Sequence, residues 1–270
     1  MKLRLLALTL LGAHALFAWG SVGHKIASQI AEAHLDPQAA AAVRQILGPN
    51  RHLADIANLA DDVRDRRPET EPWHFVDIPL DATSYDPARD CPRGECLIAA
   101  IARFQAELAK PGLAPPARFE ALYNLVHLVE DLHQPLHCED NHDRGGNDVA
   151  VEFLGKAGNL HRAWDSGILD WMLRYHPDHW EFLARRLGRI SRTEQSMWSR
   201  GTAEEWAMES HGLARDVAYQ FHRPAAGPVA LDMAYVRRAA PVVRRQLAKG
   251  GIRLAYLLNQ TLGGGRPARL

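Results

Sequence analysis

Residues 125–137, "LVHLVEDLHQPLH", place three histidines and two acids within thirteen positions and carry a proline near their end. Together with the preceding "PPARFEALYN" they read as a long helix that Pro135 terminates, because proline lacks the amide hydrogen and clashes with the turn before it. His127 and Asp131 are four apart, so they share one helix face and can grip one ion. His133, six from His127, lies about 240° round the axis and is expected on the surface or behind the ligands. His137 falls beyond the proline, where the chain can turn back toward the same region.

Outward from this stretch the pattern stays helical. "VGHKIASQIAEAHL" and "DPQAAAAVRQILG" have helical spacing, with Asp36 as N-cap, Pro37 as first helical residue and Gly48 as stop. "HLADIANLADDVRDRR" reads as one amphipathic helix, and "CLIAAIARFQAELAKPG" as another that ends at Pro111 and Gly112. Residues 67–94, rich in Pro and Asp, read as a long loop. "NDVAVEFLGKAGN" alternates around a glycine-bearing turn and is the one good hairpin candidate. From Leu160 the pattern is helical again, through "TAEEWAMESHGLARDVAYQF" and "LDMAYVRRAAPVVRRQLAKGGIRLAYLLNQTL". In the last, Pro241 is a candidate kink and Gly250-Gly251 a candidate break. The expected class is mainly α: a single helical domain with a small β-hairpin.

The front end, "MKLRLLALTLLGAHALFAWGSVGHK", has basic Lys2 and Arg4, then a mostly apolar run from Leu5 to Ala18. It falls short of the about 20 apolar residues of a transmembrane helix, and Ala18 is a small residue at a suitable cleavage point. Residues 1–18 therefore read as an export signal, and 19–270 as the mature domain starting at Trp19. No later stretch looks membrane-spanning. Apolar residues make up 47% of the chain, which argues for a sizeable core and against disorder. Lys+Arg and Asp+Glu are 32 each, so no global basic field advertises a nucleic-acid partner and any anion affinity must be local. The cysteines are Cys91, Cys96 and Cys138. Export permits disulfides, and "CPRGEC" could close a small loop, leaving Cys138 over. Any metal must then be held by His and Asp.

Candidates for that role recur. "NLHRAWD" repeats the four-residue pair in His161 and Asp165, "LADDVR" offers Asp61 or Asp62 with Arg64 close by, and "PWHFVD" offers His74 and Asp77. A single His–Asp pair on a helix is usually a surface ion pair; several in one chain are harder to dismiss, although spacing alone does not prove convergence. This donor set suits zinc. A mature terminus at Trp19 adds an α-amino group, with a pKa of about 7.7–8.0, that could chelate through its own carbonyl. Gly20 and Gly23 would let "WGSVGH" curl so that His24 meets it.

In order, "WGSVGH", "LADDVR", "WHFVD", "LVHLVEDLHQPLH", "GGND" and "NLHRAWD" resemble the zinc-dependent single-strand-specific nucleases of the S1/P1 type. "EEWAMESHGLA" and "IRLAYLLN" extend a weaker likeness to the C-terminal helices. The Ala- and Arg-rich composition suits a bacterial member, in which the "NQT" sequon at Asn259 would go unused. The resemblance implies a mainly helical fold with three zinc ions in one cleft. The first would lie on Asp61, His74, His127 and Asp131, and the second on His137, His161 and Asp165. The third would take the amino group and carbonyl of Trp19 with His24, Asp131 bridging to the first. Three such ions against three carboxylates leave about +3 in the cleft, so a neutral protein could still bind a polyanion.

The implied reaction is metal-assisted hydrolysis of single-stranded DNA and RNA to 5′-phosphate products, with 3′-nucleotidase activity a further expectation. Arg64 would neutralise charge on the phosphoryl oxygens. Phe75 and Asp77 would bind one base, which must be unstacked to reach such a platform. In "CEDNHDR", a residue longer than in the fungal enzymes, Arg144 stands where they carry an apolar base-contacting residue. His142 there is an extra histidine without a role. Cys138 beside a ligand reads as a buried thiol, and Cys91–Cys96 resembles a family disulfide.

Two other readings remain open. A bacterial zinc phospholipase C would share the fold, the N-terminal Trp ligand and the metal cluster, though "LADDVR", "PLH" and "GGND" look nuclease-like. A non-catalytic zinc-binding protein is disfavoured by Arg64, Phe75 and Asp77 beside a complete ligand set. The expected protein is a monomer, periplasmic or secreted, without stable membrane association, that takes single-stranded nucleic acid and nucleotides.

Overall fold

The structure, a computed structural model, describes residues 19–175 and 179–263. The expected export signal, residues 1–18, lies outside them. The architecture is mainly α. Helix α1 (Ser21–Ala33) buries Ile26 and Ile30, and α2 (Pro37–Leu47) follows. Asp36 caps α2 by accepting the Ala39 amide at 2.7 Å, and Gly48 ends it at φ 84, both as the sequence predicts.

The next stretch departs from expectation. Instead of one helix there are two short ones, α3 (Leu53–Ile56) and α4 (Leu59–Arg64). The break points the Ala57 carbonyl at His127, whose Nδ1 lies 2.7 Å away. The expected long loop also contains a 3-10 helix, Pro68–His74, and a short α5 (Pro87–Asp90). Each begins with a proline, whose fixed φ suits a first helical position.

Helices α6 (Leu97–Leu108) and α7 (Pro115–Asp131) pack as a pair. From Ala121 to Asp131 every residue of α7 is buried, the mark of a helix enclosed on all sides. A 3-10 turn, Pro135–His137, follows it. The hairpin forms as expected: β1 (Ala150–Phe153) pairs antiparallel with β2 (Lys156–Asn159) in the register Ala150↔Asn159. Its two turn residues, Leu154 (φ 49) and Gly155 (φ 81), both have the positive φ that matches strand twist.

Helix α8 (Leu160–Arg162) runs through a π-helical turn, Ala163–Gly167, into α9 (Ile168–Leu173). Then come α10 (Trp180–Leu187), α11 (Arg192–Trp198) and α12 (Ala203–Leu213), which leads into a second π turn, Ala214–Ala218. A short β3 (Val229–Leu231), not foreseen, pairs parallel with β1.

Helix α13 (Met233–Leu262) runs unbroken through Pro241 and Gly250-Gly251, so the expected break is absent. Pro241 is exposed, where water can satisfy the carbonyl it leaves unpaired. The glycines serve contact instead. A Cβ on Gly251 would stand 2.6 Å from Ile30 Cβ and 2.7 Å from the Ala27 carbonyl oxygen, so α13 and α1 approach backbone to backbone.

Two hydrophobic clusters form the core. Val126, Leu128 and Leu132, which flank His127 and Asp131, belong to one. Leu136, Leu160 and Trp164, which flank His137, His161 and Asp165, belong to the other. The candidate residues sit where the two meet. Cys91 and Cys96 form a disulfide and Cys138 is a buried free thiol, as expected. No described helix is long and apolar enough to cross a membrane.

Gly251→Ala should force α1 and α13 apart and cost about 1–3 kcal/mol, read as a lower denaturant midpoint. Gly250→Ala, whose Cβ would meet its nearest neighbours, atoms of His133, at 3.4 Å or more, should be neutral or stabilising. Equal midpoints for the two variants would refute the close-approach reading.

Candidate metal centre

Eight buried side chains converge from separate elements. His24 comes from α1, Asp61 from α4, His74 from the 3-10 helix, and His127 and Asp131 from the end of α7. His137 follows Pro135, His161 is on α8, and Asp165 is in the π turn. They make three groups: Asp61, His74 and His127; His24, His127 and Asp131; His137, His161 and Asp165. Within each, one donor atom per residue lies within 4.8 Å of the others. Asp131 faces two groups at once. Its Oδ2 is 3.0 Å from His74 Nδ1 and 3.3 Å from His127 Nε2, while its Oδ1 is 3.5 Å from His24 Nε2. Asp62, the neighbour of Asp61, is exposed.

The outer nitrogens explain which way the inner ones point. Nδ1 of His127 faces the Ala57 carbonyl, that of His137 the His74 carbonyl at 2.7 Å, and that of His161 the Gly145 carbonyl at 2.6 Å. Nδ1 of His24 meets Glu130 Oε2 at 2.7 Å, and Ser28 donates to the other Glu130 oxygen at 2.6 Å. A carbonyl can only accept, so in the first three rings Nδ1 carries a proton and Nε2 is the nitrogen turned inward. Gln134 likewise steadies Asp165, donating to its Oδ1 at 2.7 Å. At the centre, His24 Nε2, Asp61 Oδ1, Asp131 Oδ1, His137 Nε2 and His161 Nε2 are buried without a hydrogen-bond partner. Buried acceptors aimed at one another are costly in a protein interior unless a cation lies between them. The donor set therefore fits a group of metal ions.

The electrostatics agree. Burial lowers His24 and His161 to about 3, with neighbouring imidazoles adding to the effect, so both rings are neutral at ordinary pH and free to act as ligands. For Asp61 burial resists ionisation, yet the charge and hydrogen bond of His127 prevail and hold it at about 2. The same contest leaves Asp131 well below the carboxylate range and His127 well above the imidazole range. Burial drives Asp165 well up. In the protein alone one imidazolium sits among the carboxylates, a place that metal cations can take.

The groups border a cleft of about 410 Å³ lined by Arg64, Phe75, Asp77 and Arg144, among others. Arg64 is nearly buried, its guanidinium 3.1 Å from Asp61 Oδ1. Phe75 is half-buried and Arg144 exposed, the latter in a left-handed conformation (φ 58). Asp77 is exposed at the rim, but surrounding protein first, and Asp140 and Asp90 next, push its carboxyl up to about 6. A slightly larger cleft, about 460 Å³, lies between the hairpin and α9 and contains none of the eight residues.

Trp19 is buried, and the Gly20 amide donates to the Asp165 carbonyl at 2.9 Å. Gly23 lies inside α1 rather than in a curl. A Cβ there would stand 2.9 Å from Trp19 Cβ, so its small size, not its flexibility, brings Trp19 close. His133 is not on the surface. It is fully buried, bonded to the Val129 carbonyl at 2.7 Å and to Arg253 at 2.9 Å. His142 is exposed beside Asp140. Glu130, Ser28 and Gln134 escaped the sequence reading. Glu130 had a signal, lying three residues from His127 on the same helix face, but its partner on α1 is 106 residues away.

The S1/P1 nuclease family model matches residues 19–263. Endonuclease 3 of Arabidopsis thaliana is 31% identical, covering 92% of this chain and 90% of its own. Nuclease P1 of Penicillium citrinum is 30% identical over 91% and 98%, and nuclease S1 of Aspergillus oryzae 28% over 94% and 95%.

Glu130→Ala should release His24 and weaken metal binding by about 10–100-fold, the usual cost of losing a group that orients a ligand. Metal-buffer titration reads this directly, and an unchanged affinity would remove Glu130 from the centre.

Proposed function

Because the chain belongs to the S1/P1 nuclease family, we propose that it is a zinc-dependent phosphodiesterase that cuts single-stranded DNA and RNA, leaves 5′-phosphate ends, and acts also as a 3′-nucleotidase. The observation that carries this reading is the set of buried His and Asp donors, lone pairs facing one another, at the edge of a cleft holding an arginine and an aromatic ring. The residues fit three ions: one on Asp61, His74, His127 and Asp131, one on His137, His161 and Asp165, and one on His24, Asp131 and the amino group and carbonyl of Trp19. Zinc there would supply Lewis-acid polarisation of the phosphodiester and a water of lowered pKa.

The remaining work falls to the chain. Arg64, fixed against Asp61, offers its other N–H groups to phosphoryl oxygens, where charge grows in the transition state. Phe75 supplies a face for an unstacked base, which a duplex cannot present. Asp77 accepts from base N–H groups, and Arg144 lies across the cleft to contact base or phosphate. The acting unit is residues 19–270, exported by removal of 1–18. The family match favours nucleic acid over phospholipid.

Protein beginning at Trp19 should bind about three zinc ions and cleave single-stranded DNA and RNA but not phosphatidylcholine. One extra residue before Trp19 should lower the zinc content and sharply reduce activity; full zinc and activity in the extended form would exclude the terminal amine as a ligand.

The pH dependence has a defined sign. Asp77 offers two charged acceptor oxygens only when ionised, so KM for an amino-bearing base should rise as pH falls through about 6. Asp77→Asn should abolish that step, and a step that persists in the variant would assign it to another group.

A further inference from the structure

The even balance of charges conceals a separation. Helix α13, 30 residues long, contains no acidic residue, yet Arg237, Arg238, Arg244 and Arg245 are all exposed on it. A spacing of seven sets Arg237 over Arg244 and Arg238 over Arg245, about 20° apart round the axis, so the four form two neighbouring rows within about 120° of one side of the helix. Helix α10 packs against both α1 and α13 and exposes Arg185 and Arg186, with Phe182 one turn earlier. Among the described residues, Arg185, Arg186, Arg237 and Arg245 pair with no carboxylate. None of the four lines either large cleft.

Gathering like charges without counter-charges costs the isolated protein stability through mutual repulsion, and an anionic partner removes that cost. Guanidinium groups in rows match phosphate oxygens, which they can hold bidentately. On α13 the residue exposed between the arginine pairs is Pro241, and on α10 the single Phe182 stands beside the arginines, less than the broad apolar face with which a helix enters a lipid surface. We propose that the exposed arginines of α10 and α13 together make an accessory docking surface for the phosphate backbone of a long nucleic acid. The proposal rests on the nuclease reading. It acts through capture: long strands bind more tightly than their contacts in the cleft allow, without regard to sequence and with strong salt dependence.

The test replaces Arg185, Arg186, Arg237 and Arg245 together with Gln in the zinc-loaded protein. For a long single strand KM should rise roughly tenfold at low salt. The slope of log KM against log salt should flatten by about 0.7 for each phosphate that the variant no longer neutralises. A dinucleotide, too short to reach the face, should keep its kcat and KM and so reports intact folding. Unchanged polymer KM and salt slope would overturn the proposal. So would polymer kinetics that stay unchanged while binding to phosphatidylglycerol vesicles is lost, which would assign the face to lipid. Should the wild-type protein cleave neither substrate, the nuclease reading fails separately. Fluorescence anisotropy with a labelled strand then decides the face: weaker binding by the variant supports it, and equal binding overturns it.

Discussion

Five imidazoles and three carboxylates are held out of water with their acceptor atoms turned toward one another, and the rest of the molecule is arranged to bear that. Burial disfavours the charged form of each group, and mutual repulsion of lone pairs would push the rings aside. Five of the eight are therefore fixed from behind. The Ala57, His74 and Gly145 carbonyls hold three rings by their outer nitrogens, Glu130 holds a fourth, and Gln134 holds Asp165. These backing groups come largely from irregular backbone. The Ala57 carbonyl is available because one expected helix splits in two, and Asp165 sits in a π turn, a common device at functional sites.

A stiff frame keeps the irregular parts in place. Helix α7 runs enclosed through the centre, and α13 closes on α1 through Gly251, where no side chain fits. A polar bridge behind α7 closes the arrangement. His133 accepts from Arg253, which also pairs with Glu209 at 2.7 Å, and Ser210 donates to the Leu132 carbonyl at 2.5 Å. Burial and Arg253 lower His133 to about 3, so it serves as a neutral acceptor. Its spacing from His127 set it apart from the converging side chains, but its destination inside the protein depends on an arginine 120 residues away.

The loop carrying Gly145 has its own restraint. Tyr219 places one hydroxyl 2.8 Å from Glu139 and 2.7 Å from Asp143. One phenol proton cannot serve two ionised carboxylates. Burial, partly offset by the Tyr219 bond and reinforced by Asp143, pushes Glu139 up to about 8, which supplies the second proton. Asp143 in turn accepts the Gly146 amide at 2.7 Å, fixing the turn from which the Gly145 carbonyl reaches His161.

The amino-acid sequence by itself determined the helical class, the caps of α2, the hairpin and its register-setting turn, and the His–Asp pairs four apart. Each depends on neighbours within a few residues, where backbone sterics and helical periodicity decide the outcome. The succession of motifs along the chain also pointed to a nuclease family. Other features were decided only in three dimensions. Gly250-Gly251 reads locally as a break but is held helical by α1. Residues 52–67 read as one helix but split to feed a carbonyl to His127. Asp131 faces two groups because α1 and the 3-10 helix approach it from opposite sides. In every such case the deciding partner is remote in the chain, and the free energy of burying it correctly exceeds the local preference that the sequence displays.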